Sequence, residues 1–346
     1  MKIQRLLDPF TVQREPPANL APADEYLFRH EYSRDFDATD LFEFRNIVLT
    51  SDGEVIRRLR IVKEVEFAST IVQAGSRYVL GSLRRARPAP VGAGEEVIAA
   101  FNPWSGNNYF HWMCDVLPRI WLLRERVPES TLLLPASHDV PFVHRTLAPF
   151  APRRVVFFDP AQSLWLRRVL VPGHIGVTGN YHVPTTRSLA QLLCESAGVD
   201  PVAKAAAART GRLVYVTRRR AAYRHVLNEV AVIPMLERLG FEIVENESLS
   251  FDDQVRLHAG SRALVGIMGA NLTNVMFMPE GSAVLQLSKR ADAHNNLYWS
   301  LASAVGVGFH YQQCDYVDTR PGDYWNVTVD VPALEANLRG MLDATA

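Results

Sequence analysis

The sequence predicts an α/β protein of two domains behind a β-rich N-terminal extension. Three observations lead there. The chain has 346 residues, enough for two domains that each bury their own core. From about residue 97 onward, short apolar runs of strand length alternate with longer helical segments, the order that builds a mostly parallel sheet. The first 90 residues lack this alternation and carry β-leaning pieces around a turn.

Composition narrows the function classes. The chain is 48% hydrophobic and 21% charged, and its 37 Lys and Arg balance 37 Asp and Glu. A general nucleic-acid or membrane-surface binder would need a clustered basic excess, so any basic patch must be local. The N-terminal Met1-Lys2-Ile3-Gln4-Arg5 start has no apolar core of signal-peptide length, and no later stretch has the length and apolarity of a membrane span. A cytoplasmic protein is expected, associated with the inner membrane at most peripherally through its acceptor. Cys114, Cys194 and Cys314 are too scattered for a metal-ligand set and odd in number, so buried free thiols are expected.

In the extension, Glu25 to Phe28, Phe42 to Phe44, Asn46 to Leu49 and Val55-Ile56 lean toward strand around a Ser51-Asp52-Gly53 turn. They suggest a meander lying on the first domain. Asp35-Phe36-Asp37 has the Asp-x-Asp form that can hold a divalent metal, but its polar surroundings favour a solvated loop. Gly92-Ala93-Gly94 follows Pro88 and Pro90 and reads as a linker or surface turn.

Val97 to Phe101 reads as a buried strand and opens onto the densest run of unusual residues, Asn102 to Arg119. As a helix from about Asn107, the run places Phe110, Met113, Leu117 and Ile120 on one face. Asn108, His111, Asp115 and Arg119 share another. Pro118 removes the N–H that would bond the Cys114 carbonyl, so the helix should kink or tighten near Asp115. A His and an Asp one turn apart can act as an oriented base, and they can equally form a buried pair tying the helix to its neighbours. The flanking Trp, Tyr and Phe suit sugar stacking and suit a core.

Strands follow at Thr131 to Leu134, Arg154 to Phe158 and Val169 to Val171, with helices at about 138–149 and Pro184 to Ala197. The domain boundary is expected between about 175 and 210. Beyond it, Leu213 to Val216, Phe241 to Val244, Ala263 to Ile267 and Ala283 to Leu287 read as strands. Interleaved helices at about 229–239, 251–259, 271–277 and 295–305 complete a Rossmann-like unit. A last helix from Pro332 to about Leu342 is expected to cross back and brace the first domain.

Two features of this second half suit an anion. After the strand ending at Ile267, the small residues Gly269-Ala270 lead into a short helix whose first turn carries Asn271, Thr273 and Asn274. Such a turn lets a ligand approach free backbone N–H groups and the positive end of the helix dipole, although Gly-Ala turns also serve packing alone. The basic segment Thr217 to His225 leaves its strand at the same carboxyl edge of the sheet. Arg forks there suit phosphate oxygens, and two independent anion features at one edge favour a site over a merely solvated loop.

Taken in order, these segments resemble glycosyltransferase family 61, the group once described as capsular-polysaccharide biosynthesis proteins. The matching stretches are Asn108-Tyr109-Phe110-His111-Trp112 with Asp115 and Leu117-Pro118-Arg119, then Arg218, Arg224 and Asn228-Glu229. Leu239-Gly240-Phe241, Leu249-Ser250-Phe251 with Gln254, Gly266 to Asn274, and Phe277-Met278-Pro279 with Gly281-Ser282 continue the set.

The resemblance implies a GT-B-like architecture, two Rossmann-like domains facing across a cleft. Its expected divisions are 1–90 (extension), 91–190 (acceptor side), 191–330 (donor side) and 331–346 (bracing helix). It implies an inverting, metal-independent hexosyl- or pentosyltransferase without cofactor, moving sugar from a nucleotide-sugar donor to a glycan or lipid-linked glycan. Surface polysaccharide biosynthesis is the implied setting. Mapped here, Arg218, Arg219, Arg224, Asn228, Gly269, Ala270, Asn271, Thr273, Asn274 and Gln286 would hold the donor. Asn108, Tyr109 and Trp112 would lie on the acceptor side, with His111 as base and Asp115 orienting or replacing it.

This sequence departs from the family pattern twice. Met268 stands where the family often has His, and Gln286 where a strand-ending Glu could hold ribose hydroxyls. Other readings are a nucleotide-sugar epimerase or hydrolase and a non-catalytic scaffold. A NAD-linked dehydrogenase ranks last, because no Gly-x-Gly-x-x-Gly follows a predicted strand.

Overall fold

The computed structural model describes residues 2–66, 75–92, 94–293, 296–320 and 324–344. Ala93 of the expected Gly92-Ala93-Gly94 turn, Met1, Asn295 at the expected start of a helix, and the last two residues lie outside them. The chain divides into two compact units: the residues up to Phe10 with Asp35–Thr178, and Thr11–Arg34 with the chain from Gly179 onward.

In chain order the strands of the first part are β1 (Lys2–Leu7), β2 (Phe10–Gln13), β3 (Ser33–Phe36), β4 (Thr39–Leu49), β5 (Val55–Arg57) and β6 (Arg60–Ile61). They continue with β7 (Ala86–Pro88), β8 (Val97–Ile98), β9 (Thr131–Pro135), β10 (Arg154–Phe158) and β11 (Ser163–Pro172). β2 and β3 form a separate ribbon; Asp35 is an exposed residue of β3 rather than part of a loop. The others make one nine-stranded sheet ordered β10-β9-β8-β11-β4-β5-β6, with β1 on β4 and β7 on β11.

This sheet corrects the picture of an extension lying on a parallel domain. β10, β9, β8 and β11 run parallel, as βα alternation predicts, but β4 pairs antiparallel with β11 from Leu49 against Leu164 to Leu41 against Pro172. Leu41, Phe42, Phe44, Ile47, Val48 and Leu49 of β4 are all buried. A strand that apolar is stable in the middle of a sheet and hazardous at its edge. The N-terminal strands are therefore hydrogen-bonded members of the first sheet.

The second unit holds β12 (Arg212–Val216), β13 (Phe241–Val244), β14 (Ser261–Ile267), β15 (Ala283–Lys289), β16 (Gly308–Arg320) and β17 (Tyr324–Thr328). Their order is β13-β12-β14-β15-β16-β17, parallel except for β17. The chain steps outward from β12 to β13, then crosses back to β14 and proceeds the other way. The carboxyl ends of β12 and β14 thus flank a topological switch point, where open α/β sheets bind ligands.

The unit boundary between Thr178 and Gly179 lies inside the expected 175–210 window but before the expected division at 190, so helix Val183–Ser196 counts with the second unit. Two other features differ from expectation. Thr11–Arg34 also belongs to the second unit: the Asn19 side chain brackets the Tyr311 backbone with bonds of 2.8 and 3.1 Å, and Phe28 packs on Trp299 and Tyr311. The terminal helix Val331–Ala344 buries Leu334, Leu338 and Met341 against helix Glu229–Arg238 and β16 of its own unit, where the sequence reading had it brace the first domain. All three cysteines are buried free thiols, and no described helix is long and apolar enough to cross a membrane.

Candidate active site

In the second unit, β12 ends at Val216 and the next residues turn into the switch point. Glu229, in the first turn of its helix, accepts hydrogen bonds from Tyr215 Oη (2.8 Å) and Thr217 Oγ1 (2.6 Å), fixing the chain on both sides of Val216. From there Arg218 reaches back toward β14. Its Nη1 donates to Asn271 Oδ1 at 3.4 Å and its Nη2 to the Tyr223 carbonyl at 3.3 Å. The buried Nε has no hydrogen-bond partner among the described residues.

The guanidinium lies against Gly269. A Cβ built there would meet Arg218 Nη1 at 2.7 Å and Cζ at 3.0 Å. Backbone conformation does not demand glycine there, since φ of 165° is extended; its absent Cβ leaves the place the guanidinium occupies. Gly269 is followed by a 3₁₀ helix, Ala270–Phe277, whose first turn no side chain caps.

Arg224 adopts the left-handed conformation (φ 63°) and stacks its guanidinium 5.6 Å from the Tyr223 ring centroid and 5.4 Å from that of Trp325. Burial lowers the pKa of both arginines, and for Arg224 the nearby Arg218 charge lowers it further. Two part-buried like charges at a switch point, beside an uncapped helix start, are chemically suited to hold an anion.

In the first unit, the run after β8 forms a helix with an irregular middle. Tyr109–His111 is α, Trp112–Val116 is a π turn, and Leu117–Trp121 is α again. The Leu117 N–H reaches the Trp112 carbonyl, so the missing Pro118 N–H is accommodated by widening rather than the expected tightening. Asn108 caps the helix, accepting from the His111 N–H at 3.4 Å.

His111 Nδ1 and Asp115 Oδ2 are 2.7 Å apart, and the same carboxylate oxygen accepts from Thr178 Oγ1 at 3.0 Å. The carboxylate selects the Nδ1–H tautomer and leaves Nε2 with its lone pair. Nε2 makes no hydrogen bond among the described residues, and the imidazole keeps 17% of its surface exposed. Such an imidazole can accept a proton from a substrate hydroxyl.

The family model Glycosyltransferase 61 matches residues 109–285, more than half of the chain. The chain belongs to glycosyltransferase family 61.

Curated relatives include the EGF domain-specific O-linked N-acetylglucosamine transferases of Drosophila melanogaster and Bos taurus. The first is 33% identical over 110 residues, covering 31% of this chain and 21% of that protein. The second is 31% identical over 103 residues, covering 28% and 19%. The matched segment thus spans about a fifth of each relative's length.

Against the family pattern, the structure brings Arg218, Arg224, Gly269, Ala270 and Asn271 together at the switch point and separates the rest. Arg219 is held outward by Glu245 at 2.6 Å, an exposed ion pair that Arg220 joins at 2.8 Å. Asn228 spends its amide on the Val329 backbone, donating at 2.8 Å and accepting at 2.9 Å, so it ties the chain after β17 to the helix start. Thr273 and Asn274 are 0% exposed because the 3₁₀ helix runs into the core, and Asn274 donates to Gln254 at 2.9 Å.

On the acceptor side, Trp112 is also in the core, its Nε1 donating to Thr146 Oγ1 at 2.8 Å. Tyr109 is half-buried, edge-on to Phe142. Arg119 leaves the polar stripe: its guanidinium is buried, bonded to the Pro172 and Phe101 carbonyls, and burial brings its pKa down to about 10.

The two family departures, Met268 and Gln286, line one small pocket with Ser288, Lys289, Asp292 and Asn296. Gln286 Nε2 donates to Ser288 Oγ at 2.8 Å, while its buried Oε1 has no hydrogen-bond partner among the described residues. Sequence reasoning missed Thr178, Glu229 as a bracket for the Arg218 turn, and Trp104, whose ring centroid is 5.2 Å from that of His111. Trp104 carried a signal as a member of the dense run and Glu229 as part of the Asn228-Glu229 match; Thr178 carried none.

Proposed function

We propose that the protein is an inverting glycosyltransferase that takes a nucleotide sugar as donor and a glycan or lipid-linked glycan as acceptor, acting in the cytoplasm in surface polysaccharide biosynthesis. The observation that carries this is Arg218: a part-buried guanidinium against Gly269 at the switch point, its buried Nε without a hydrogen-bond partner among the described residues and its Nη atoms making long bonds to an amide oxygen and a carbonyl. A partly desolvated cation in that state is stabilised when an anion arrives.

In this reading the diphosphate lies between Arg218, Arg224 and the start of the Ala270–Phe277 helix, and the ribose reaches Gln286. The two units act as halves of a GT-B arrangement, with the base in the first. His111 Nε2 takes the proton of the acceptor hydroxyl as its oxygen attacks the anomeric carbon, and the bond to the diphosphate breaks on the opposite side. That displacement inverts the anomeric centre. The guanidinium charges and helix N–H groups stabilise the departing diphosphate, the role a divalent metal plays elsewhere, so no obligatory metal is expected. The relatives' names specify N-acetylglucosamine and EGF domains; the sugar makes UDP-N-acetylglucosamine a first donor to try.

Product analysis tests the reading. With a panel of nucleotide sugars and glycan acceptors in EDTA, NMR should show a transferred sugar of inverted configuration. Donor isomerised without acceptor would favour an epimerase, and activity that requires added divalent cation would refute metal independence.

A further inference from the structure

We propose that Trp104 is the platform on which the acceptor stacks, and that the acceptor is therefore a pyranose ring presenting its hydroxyl to His111. This rests on the reading of His111 as the base. Trp104 lies outside the family match, is 48% exposed, and tilts at 52° to the His111 ring with centroids 5.2 Å apart.

A single exposed aromatic is ordinary on a protein surface; what distinguishes this one is how it is held. The Trp104 N–H donates to Asn102 Oδ1 at 2.9 Å, closing an Asx turn. The Asn102 N–H donates to Ser105 Oγ at 3.1 Å, and Ser105 Oγ donates back to the Asn102 carbonyl at 2.8 Å. Ser105 Oγ also lies 2.9 Å from His138 Nε2. Asn102, Ser105 and His138 are each at most 1% exposed, so a dry polar cluster fixes the turn that presents Trp104. Gly106 seats the turn closely: a Cβ there would meet Ser137 Oγ at 2.5 Å.

The chemistry of the acceptor follows. An indole face held rigidly beside a base offers a flat apolar surface, and a pyranose has a matching face of C–H bonds with hydroxyls at its rim. A serine or threonine side chain has no such face. Trp112, one of the two aromatics expected on the acceptor side, cannot serve because it is fully buried.

Saturation-transfer NMR with methyl β-glucoside, galactoside, mannoside, xyloside and N-acetylglucosaminide, on wild type, W104A and W104F, tests this. Expected is saturation of one ring face of at least one glycoside by wild type. W104A should weaken that binding about tenfold or more, and W104F should retain part of it. Equal binding by W104A overturns the platform. Failure of every glycoside to bind wild type, with transfer instead to a folded EGF-like domain, overturns the pyranose acceptor. Calorimetry with nucleoside diphosphates runs alongside: if none binds wild type while W104A still loses the glycoside, the donor-site reading falls and the platform stands.

Discussion

Gly269 and His111 carry the account at the scale of single residues. Gly269→Ala forces its Cβ against Arg218 Nη1, so the guanidinium must move away from the helix start. Nucleoside-diphosphate affinity should fall about tenfold with little change in melting temperature, the signature of a displaced ligand group rather than a damaged core. Unchanged affinity would mean Arg218 does not touch the ligand. Asp115→Asn replaces the carboxylate that fixes the His111 tautomer with a neutral amide that can also donate, and kcat should drop by about 10²–10⁴ while donor binding stays constant. The His111–Asp115 spacing was legible because both partners lie one turn apart on one helix. The fates of Arg218 and Arg219 were not, because their partners Asn271 and Glu245 arrive from segments that follow other strands.

Among the elements, the broken helix Tyr109–Trp121 shows why local pattern reading stops short. Pro118 announced an irregularity, yet whether the turn tightens or widens depends on what the helix is pinned to. Arg119 pins it, through the carbonyls that end β11 and follow β8. Replacing Arg119 by Ala leaves a cavity and buried carbonyls without donors, and should cost about 3 kcal/mol or more in calorimetric unfolding. A variant as stable as wild type would remove that tethering role. The Ala270–Phe277 helix was legible in place but not in depth: its polar residues read as an exposed first turn, whereas the helix enters the core and leaves only its start at the surface. Amphipathic logic fails for a segment buried all round.

Across the whole molecule, the four parallel strands β12 to β15 were legible from βα alternation, whereas β16 and β17, which extend the same sheet, were not. Nor was the return of Thr11–Arg34 to the second unit, since nothing local marks a strip that packs on β16 and on the helix carrying Trp299, hundreds of residues later. Global stability should carry a pH signature from three histidines that burial keeps neutral. His138 and His310 are pushed down to about 4 and His258 to about 3, from an unfolded value near 6.5. Between those values the unfolded chain binds the protons and the folded one does not. Stability is therefore full above about pH 6.5 and falls toward pH 4, by up to about 1.4 kcal/mol per pH unit for each histidine. Urea denaturation at pH 7 and pH 5 should differ accordingly, and equal midpoints would contradict the buried neutral assignments.

Isothermal titration calorimetry tests whether the β12–β14 switch point is an anion receptor for a nucleotide sugar. UDP, GDP, CDP and ADP would be titrated in EDTA into the wild type and into Arg218→Ala. The account predicts that one nucleotide binds the wild type and that its affinity falls at least about tenfold in the variant. Binding that is absent from the wild type, or equal in the two proteins, would contradict it.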